Sequence, residues 1–156
     1  MICACSNHSS VLVGSIGTPF SSTHSYEHGA EPLRDDWNRA RRNETCGIHN
    51  KRFHLQSEDM LHMPWVLSEF GAVSFIGESG VADHWGYGDT AESPDAFLSL
   101  FRHIIETASA LDGISGWCYT QFSDVEKEKN GLLCADRTPK VEPSLIRNLI
   151  KEIANN

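Results

Sequence analysis

The sequence lacks several features that would place a protein in a functional class at once. No stretch of its 156 residues is apolar for long enough to span a bilayer. It contains neither the glycine-flanked serine of a Ser-His-Asp hydrolase nor a glycine-rich phosphate-binding loop. Its first residues carry no basic segment of the kind that opens a signal peptide. These absences predict a cytoplasmic protein that has no membrane partner.

Cysteine and positive charge are also in short supply. The five cysteines are odd in number and irregularly spaced, which argues against a disulfide framework. The 13 lysines and arginines are outnumbered by 21 acidic residues. The resulting net charge of −8 argues against nucleic acid as a partner.

One partial metal-binding pattern is present. Cys46, His49 and His54 lie close together in the sequence, but a regular zinc motif would need a fourth ligand at matching spacing. A polar loop explains the same residues. We therefore predict no metal and no cofactor, and keep a zinc site as the alternative from a different class.

From residue 64 onward, the apolar residues repeat with the periods of a strand, a helix, a strand and a helix in turn. This βαβα order predicts a parallel sheet with helices outside it. The predicted elements are a strand at 64–69, a glycine-rich loop from Gly77 to Thr90, a helix that Ser93 caps and Asp112-Gly113 ends, a strand at 114–122 and a helix from Pro143.

The front of the chain is less regular. Residues 1–21 form a poorly defined N-terminal segment in which only 11–16 could form a short strand. A helix opens near Glu31, with Pro32 in its first turn, and continues to about Arg42. We assign the remaining residues, 22–156, to one α/β unit.

The strand at 64–69 ends in a carboxylate, Glu69. A charge on the last residue of a buried parallel strand lies at the strand's C-terminal mouth, where α/β folds carry their chemistry. Burying a carboxylate is costly unless it is paired or hydrogen-bonded. From these residues alone, a functional carboxylate and a buried ion pair or helix cap are both open.

Four motifs in order resemble the C-terminal end of the catalytic barrel of glycoside hydrolase family 2, which contains β-galactosidases, β-glucuronidases and β-mannosidases. The resemblance covers residues 60–147 well and 22–42 loosely. The motifs are Ser68-Glu69-Phe70-Gly71, Trp85-Gly86-Tyr87-Gly88, the segment from Gly116 to Glu126, and Asn130-Gly131-Leu132 with Asp136-Arg137-Thr138-Pro139-Lys140.

The resemblance implies a fold that this chain is too short to complete. A (β/α)₈ TIM barrel takes about 250 residues, and the chain has 156. We therefore expect a partial barrel, approximately strands 6 to 8 with their helices, as a C-terminal fragment of the catalytic domain. Such a fragment would expose unpaired strand edges, which predicts self-association.

The resemblance also implies roles for individual residues. Glu69 matches the nucleophile of a retaining β-glycosidase, and Tyr26 matches the tyrosine that donates to that carboxylate. His24 would line the same pocket and contact the sugar. The alternatives are a half-buried core role for Tyr26 and an exposed loop position for His24.

Further residues are candidates for substrate binding. Tyr119 matches an aromatic residue that floors the sugar pocket, Gln121 could bond a sugar hydroxyl, and Trp85 could wall the site. Barrel-core packing and loop packing are the alternatives, and packing suits Trp117 better than Tyr119. Asp124, Glu126 and Asn130 would either bind sugar or shape the loop after the last strand.

The general acid does not fit the family pattern. Its Asn-Glu pair should precede Tyr26, whereas Asn43-Glu44 follows it in a polar segment. Two hypotheses remain: part of a retaining enzyme that hydrolyses O-glycosyl bonds in β-glycosides, with a carbohydrate as partner, or a non-catalytic remnant that acts as a sugar-binding or interaction module.

Overall fold

The computed structural model describes residues 21–27, 29–42, 44, 64–76 and 90–154, which form an α/β arrangement. The predicted strand at 11–16 lies outside the described residues. Elements in chain order are β1 (Ser21–Ser25), α1 (Ala30–Arg41), β2 (Trp65–Gly71), β3 (Ser74–Phe75), β4 (Thr90–Ala91), α2 (Pro94–Ser109), β5 (Ile114–Thr120) and α3 (Pro143–Ala154).

The main sheet has three strands in the order β1-β2-β5, and both pairings are parallel. This confirms the parallel sheet predicted from the βαβα order. A second parallel pair, β3 with β4, was not predicted. Each of its strands has only two residues, which is too short to leave a periodic pattern in the sequence.

Helix α2 shows why the periodic half of the chain could be predicted. The Ser93 side chain accepts a hydrogen bond of 3.1 Å from the backbone N–H of Ala96, and Pro94 follows the cap. The apolar positions repeat every three or four residues, so one face of the helix is buried. The buried apolar residues on that face are Phe97, Phe101, Ile104, Ile105 and Ala108.

Helices α1 and α2 pack against one face of the main sheet through aromatic residues. Trp37 of α1 meets Trp65 of β2 edge to face, with ring centroids 6.0 Å apart. Phe101 of α2 meets Tyr119 of β5 in the same way at 4.9 Å. Trp65 therefore lies on the helix-covered face of β2, and Tyr119 lies on the corresponding face of β5.

The connection between α2 and β5 is tied back to α1. The Asp112 carbonyl accepts hydrogen bonds from Trp37 Nε1 at 2.9 Å and Arg41 Nη1 at 2.8 Å. Gly113 follows with a φ of 67°, which favours glycine. None of the helices in the described residues is long and apolar enough to cross a membrane.

Candidate active site

Glu69 lies near the C-terminal end of β2, on the face of the sheet opposite the helices. Its partner across the parallel pairing is His24 of β1, so the two side chains project to the same side. The Glu69 side chain is 24% exposed and that of His24 is 40% exposed. The carboxylate is therefore reachable from solvent rather than sealed in the core.

Two side chains from the β1 segment converge on one oxygen of this carboxylate. The Tyr26 hydroxyl donates a hydrogen bond to Glu69 Oε2. His24 Nδ1 lies 3.5 Å from the same oxygen. The structure thus brings Glu69, Tyr26 and His24 together. Oε1 accepts no hydrogen bond from the described residues.

The chain leaves β2 through a tight turn, which fixes where the strand ends beyond Glu69. Gly71 has a φ of 92° and Ala72 a φ of 48°. A side chain at Gly71 would collide with the Tyr119 ring, so only glycine fits. The Glu-Phe-Gly order thus has a structural reason: the glycine lets the strand turn directly after the carboxylate.

Tyr119 requires a correction. Tyr119 was predicted to form the floor of a sugar pocket. However, this residue is only 8% exposed, and its ring lies among Phe70, Phe101 and Gly71. Its hydroxyl accepts a hydrogen bond of 3.1 Å from the Val73 N–H, and burial raises the pKa of this hydroxyl. In this structure Tyr119 is a packing residue on the face opposite Glu69.

Trp117 shares that face with Tyr119, as the alternation of the strand predicted. Its ring meets Phe70 edge to face at 5.6 Å, and its Nε1 donates to Ser109 Oγ at 3.0 Å. Trp117 is less buried than Tyr119. We expected core packing to suit Trp117 better than Tyr119. This expectation is wrong, because Tyr119 is the more deeply buried of the two.

Gln121 lies just past β5, at the same end of the sheet as Glu69. Its amide donates to Asn130 Oδ1, and the Asn130 side chain donates to Glu128 Oε1 at 3.0 Å. Asn130 is fully buried. These bonds give Asn130 the loop-shaping role, while the contact of Gln121 with a sugar hydroxyl stays a prediction.

A buried ion pair holds the loop that follows β5. Lys140 Nζ lies 2.6 Å from Asp124 Oδ1, and the side chains are 0% and 4% exposed. Lys140 also donates to the carbonyls of Phe75 at 2.6 Å and Lys129 at 2.9 Å. Burial lowers the pKa of Lys140, and the contact with Asp124 opposes that shift. The pair joins this loop to β3, which follows the Glu69 strand.

No role was predicted for Lys140, because nothing in the local sequence shows that Asp124 lies beside it. The Asp124 side chain is loop-shaping too, because its Oδ1 accepts a hydrogen bond of 3.0 Å from the Gly131 N–H. The only feature of the sequence that could have pointed to Lys140 is its position directly after Pro139, in one of the motifs that resemble a glycosidase barrel.

Other predicted residues fall elsewhere. Trp85 lies outside the described residues, as do the three residues of the partial zinc pattern. Glu44 pairs with Arg42 at 2.7 Å on the exposed end of α1, away from the sheet. Within the part of the chain that the structure describes, no group of three or more His, Cys, Asp or Glu residues could hold a metal ion.

Comparisons with known proteins bear on the fold. No family model and no curated protein matches the sequence. Among solved structures, the agarase AgWH50C matches with a TM-score of 0.55 and 17% identity, over 86% of this chain and 18% of the agarase. A β-glucuronidase from Faecalibacterium prausnitzii matches with a TM-score of 0.53 and 15% identity, over 88% of this chain and 22% of that one.

A third match is β-glucuronidase from Ruminococcus gnavus in complex with D-glucuronic acid, with a TM-score of 0.53 and 14% identity. The match covers 85% of this chain and 22% of that protein. The chain thus spans about a fifth of the length of these structures. At these identities the similarity concerns the fold, and that fold is glycosidase-like.

Proposed function

We propose that this chain forms the C-terminal part of a (β/α)₈ barrel in a retaining β-glycosidase of the family 2 type. Glu69 is its nucleophile and Tyr26 orients the carboxylate. The observation that carries the proposal is the contact of Tyr26 with Glu69 Oε2, at the C-terminal end of a parallel strand. The glycosidase-like fold of the solved structures supports it.

In this proposal each oxygen of the carboxylate has its own task. Oε1 attacks the anomeric carbon, and the bond to the leaving oxygen breaks as that oxygen takes a proton from a general acid. Tyr26 holds Oε2 while the glycosyl ester forms. Water then gives a proton to the conjugate base of that acid and attacks the anomeric carbon, and the ester bond to Glu69 breaks. This step releases the sugar with retained configuration and restores the Glu69 carboxylate.

The general acid is not assigned to any described residue. Glu44, the glutamate of the Asn-Glu pair, points to Arg42 instead of the site. The outer strands β1 and β5 each pair on one side only within the described residues. We propose that further barrel strands continue from these edges and supply the acid. Self-association through the same edges is the alternative, and a monodisperse monomer in light scattering would exclude it.

The substrate class follows from the same proposal. The structural neighbours are an agarase and β-glucuronidases, one of them in complex with D-glucuronic acid. We therefore propose a β-glycoside as the partner, with His24 and Gln121 placed to contact sugar hydroxyls at the end of the sheet.

Covalent labelling tests the proposal. The purified protein is incubated with 2-deoxy-2-fluoro glycosides of the galacto, glucurono and manno series, and intact mass reports any glycosyl adduct. We expect one adduct in one series, which names the sugar. Glu69→Gln should remove the adduct, while Glu92→Gln, at an exposed glutamate, should leave it unchanged. If the protein is folded and none of the three series labels it, only a sugar-binding role remains for it.

Tyr26→Phe is expected to slow this labelling by about 10- to 100-fold. A hydrogen bond to a charged group contributes roughly 1.5–3 kcal/mol, and the phenylalanine cannot make it. Tyr119→Phe is the matched control, because it removes a tyrosine hydroxyl that serves the Val73 N–H on the other face. Equal labelling rates for Tyr26→Phe and wild type would show that the Tyr26 hydroxyl does not assist the nucleophile.

A further inference from the structure

Strand β2 contains one residue more than either neighbour across the site. Along β1, Thr23 pairs with Leu67 but His24 pairs with Glu69, so Ser68 has no partner of its own. Along β5, Trp117 pairs with Leu67 and Tyr119 with Phe70, so two residues of β2 face one of β5. Ser68 and Glu69 therefore form a β-bulge relative to both neighbouring strands.

The bulge decides which face each side chain takes. In an unbulged strand, Glu69 would share the face of Trp65 and Leu67, which are 2% and 1% exposed. Phe70 would then point to the open face. In the structure the order is reversed, because Phe70 is 0% exposed and the Glu69 side chain is 24% exposed.

Ser68 is anchored at the point where the register changes. Its Oγ donates a hydrogen bond of 3.2 Å to the carbonyl of Thr23. Thr23 is the last β1 residue in regular register, and His24 is the first after the shift. The bond thus fixes the bulge to β1, the strand that leads into Tyr26.

We propose that Ser68 is a positioning residue whose bulge aims the Glu69 carboxylate at Tyr26 and His24. This inference rests on the proposed nucleophile. Removing Ser68 leaves the order Trp65, Val66, Leu67, Glu69, Phe70, in which Trp65, Leu67 and Phe70 still fall on the helix-covered face. We therefore expect the core to survive the deletion, while the position and direction of the Glu69 side chain change.

The test is deletion of Ser68, read by inactivation kinetics with the fluoro-glycoside that labels wild type. We expect the deletion variant to fold, to bind the reagent with KI within about threefold of wild type, and to react about 10²-fold more slowly in the covalent step, the loss expected from a misplacement of about 1 Å. Ser68→Ala keeps the extra residue but removes the bond to the Thr23 carbonyl, so it should slow the covalent step by less than the deletion does, by about 2- to 10-fold. Glu92→Gln, at an exposed glutamate, is the control that should leave both constants unchanged. A folded deletion variant with a wild-type covalent step overturns the proposal.

Two further measurements separate the possible failures. A variant that deletes Ser68 and adds one glycine before Pro64 preserves the length of the connection to β2. If both deletion variants fail to fold, the proposal is overturned, because it requires that the core survive. In the crystal structure of a folded deletion variant, we expect the contact between Tyr26 and Glu69 to be lost, whether or not any reagent labels the protein. An intact contact overturns the inference, while an unlabelled wild type overturns only the proposed function.

Discussion

Glu69→Ala is expected to lower turnover of an activated β-glycoside by on the order of 10⁶, the loss seen when a covalent nucleophile is removed from a serine protease. The substrate is a 2,4-dinitrophenyl glycoside in the sugar series that labels wild type. Its leaving group departs without a proton from a general acid, so the first burst of dinitrophenolate reports attack by the nucleophile, before water must cleave the glycosyl ester. Release of dinitrophenolate measures the rate.

Azide adds a second arm to this experiment. The alanine leaves space where the carboxylate stood, and azide can attack the anomeric carbon from that side. We expect azide to restore turnover in Glu69→Ala and to yield the α-glycosyl azide from the β-glycoside. Glu92→Ala serves as the control with unchanged turnover. A Glu69→Ala rate within tenfold of wild type, or a β-glycosyl azide product, would argue against Glu69 as nucleophile.

Lys140→Met is expected to lower the free energy of unfolding by about 2–3 kcal/mol, somewhat less than the usual cost of removing one partner of a buried ion pair, because Lys129 Nζ remains 3.8 Å from Asp124 Oδ2. Asp124 would keep a charge at a side chain that is 4% exposed, and the Phe75 carbonyl would lose its donor. Denaturant unfolding with an unchanged m-value measures the loss.

Two controls show whether the loss comes from the charge that stays on Asp124. Lys151→Met removes an exposed lysine from α3 and should change stability by no more than about 0.5 kcal/mol. The double variant Asp124→Asn with Lys140→Met removes both charges and should recover part of the stability. A loss below about 1 kcal/mol for Lys140→Met would mean that the pair does not hold the loop.

The sequence was sufficient where a long pattern repeats. Helix α2 carries its cap at Ser93, its proline at the first position and an apolar face of several turns, so local signals agree with packing. The parallel pairing of β2 with β5 followed from the order of elements. Helix α3 was expected from Pro143 and begins there.

The sequence was insufficient where the outcome depends on contacts between distant residues. The alternation of β5 placed Trp117 and Tyr119 on one face, but it could not say which face the helices cover. The register shift at Ser68 depends on two neighbouring strands, so β2 alone does not reveal it. The burial of Lys140 depends on Asp124, 16 positions earlier in the chain.

Glu69 and Tyr26 could be predicted from the sequence for a different reason. A carboxylate that ends an apolar strand is unusual enough to stand out, and a glycine directly after Phe70 indicates a turn. The resemblance to a glycosidase barrel then linked Glu69 to Tyr26 across 43 positions, and the structure joins them. Trp85 and the residues beside it lie outside the described part, so their predicted role stays untested.

The site of covalent attachment tests the central claim most directly. The fluoro-glycosyl protein is digested under acidic conditions that preserve the ester, and tandem mass spectrometry identifies the modified residue. The account predicts a single glycosyl ester on Glu69, in the peptide that contains Ser68 and Phe70. An ester on any other carboxylate, formed at the same rate in Glu69→Gln, would contradict it.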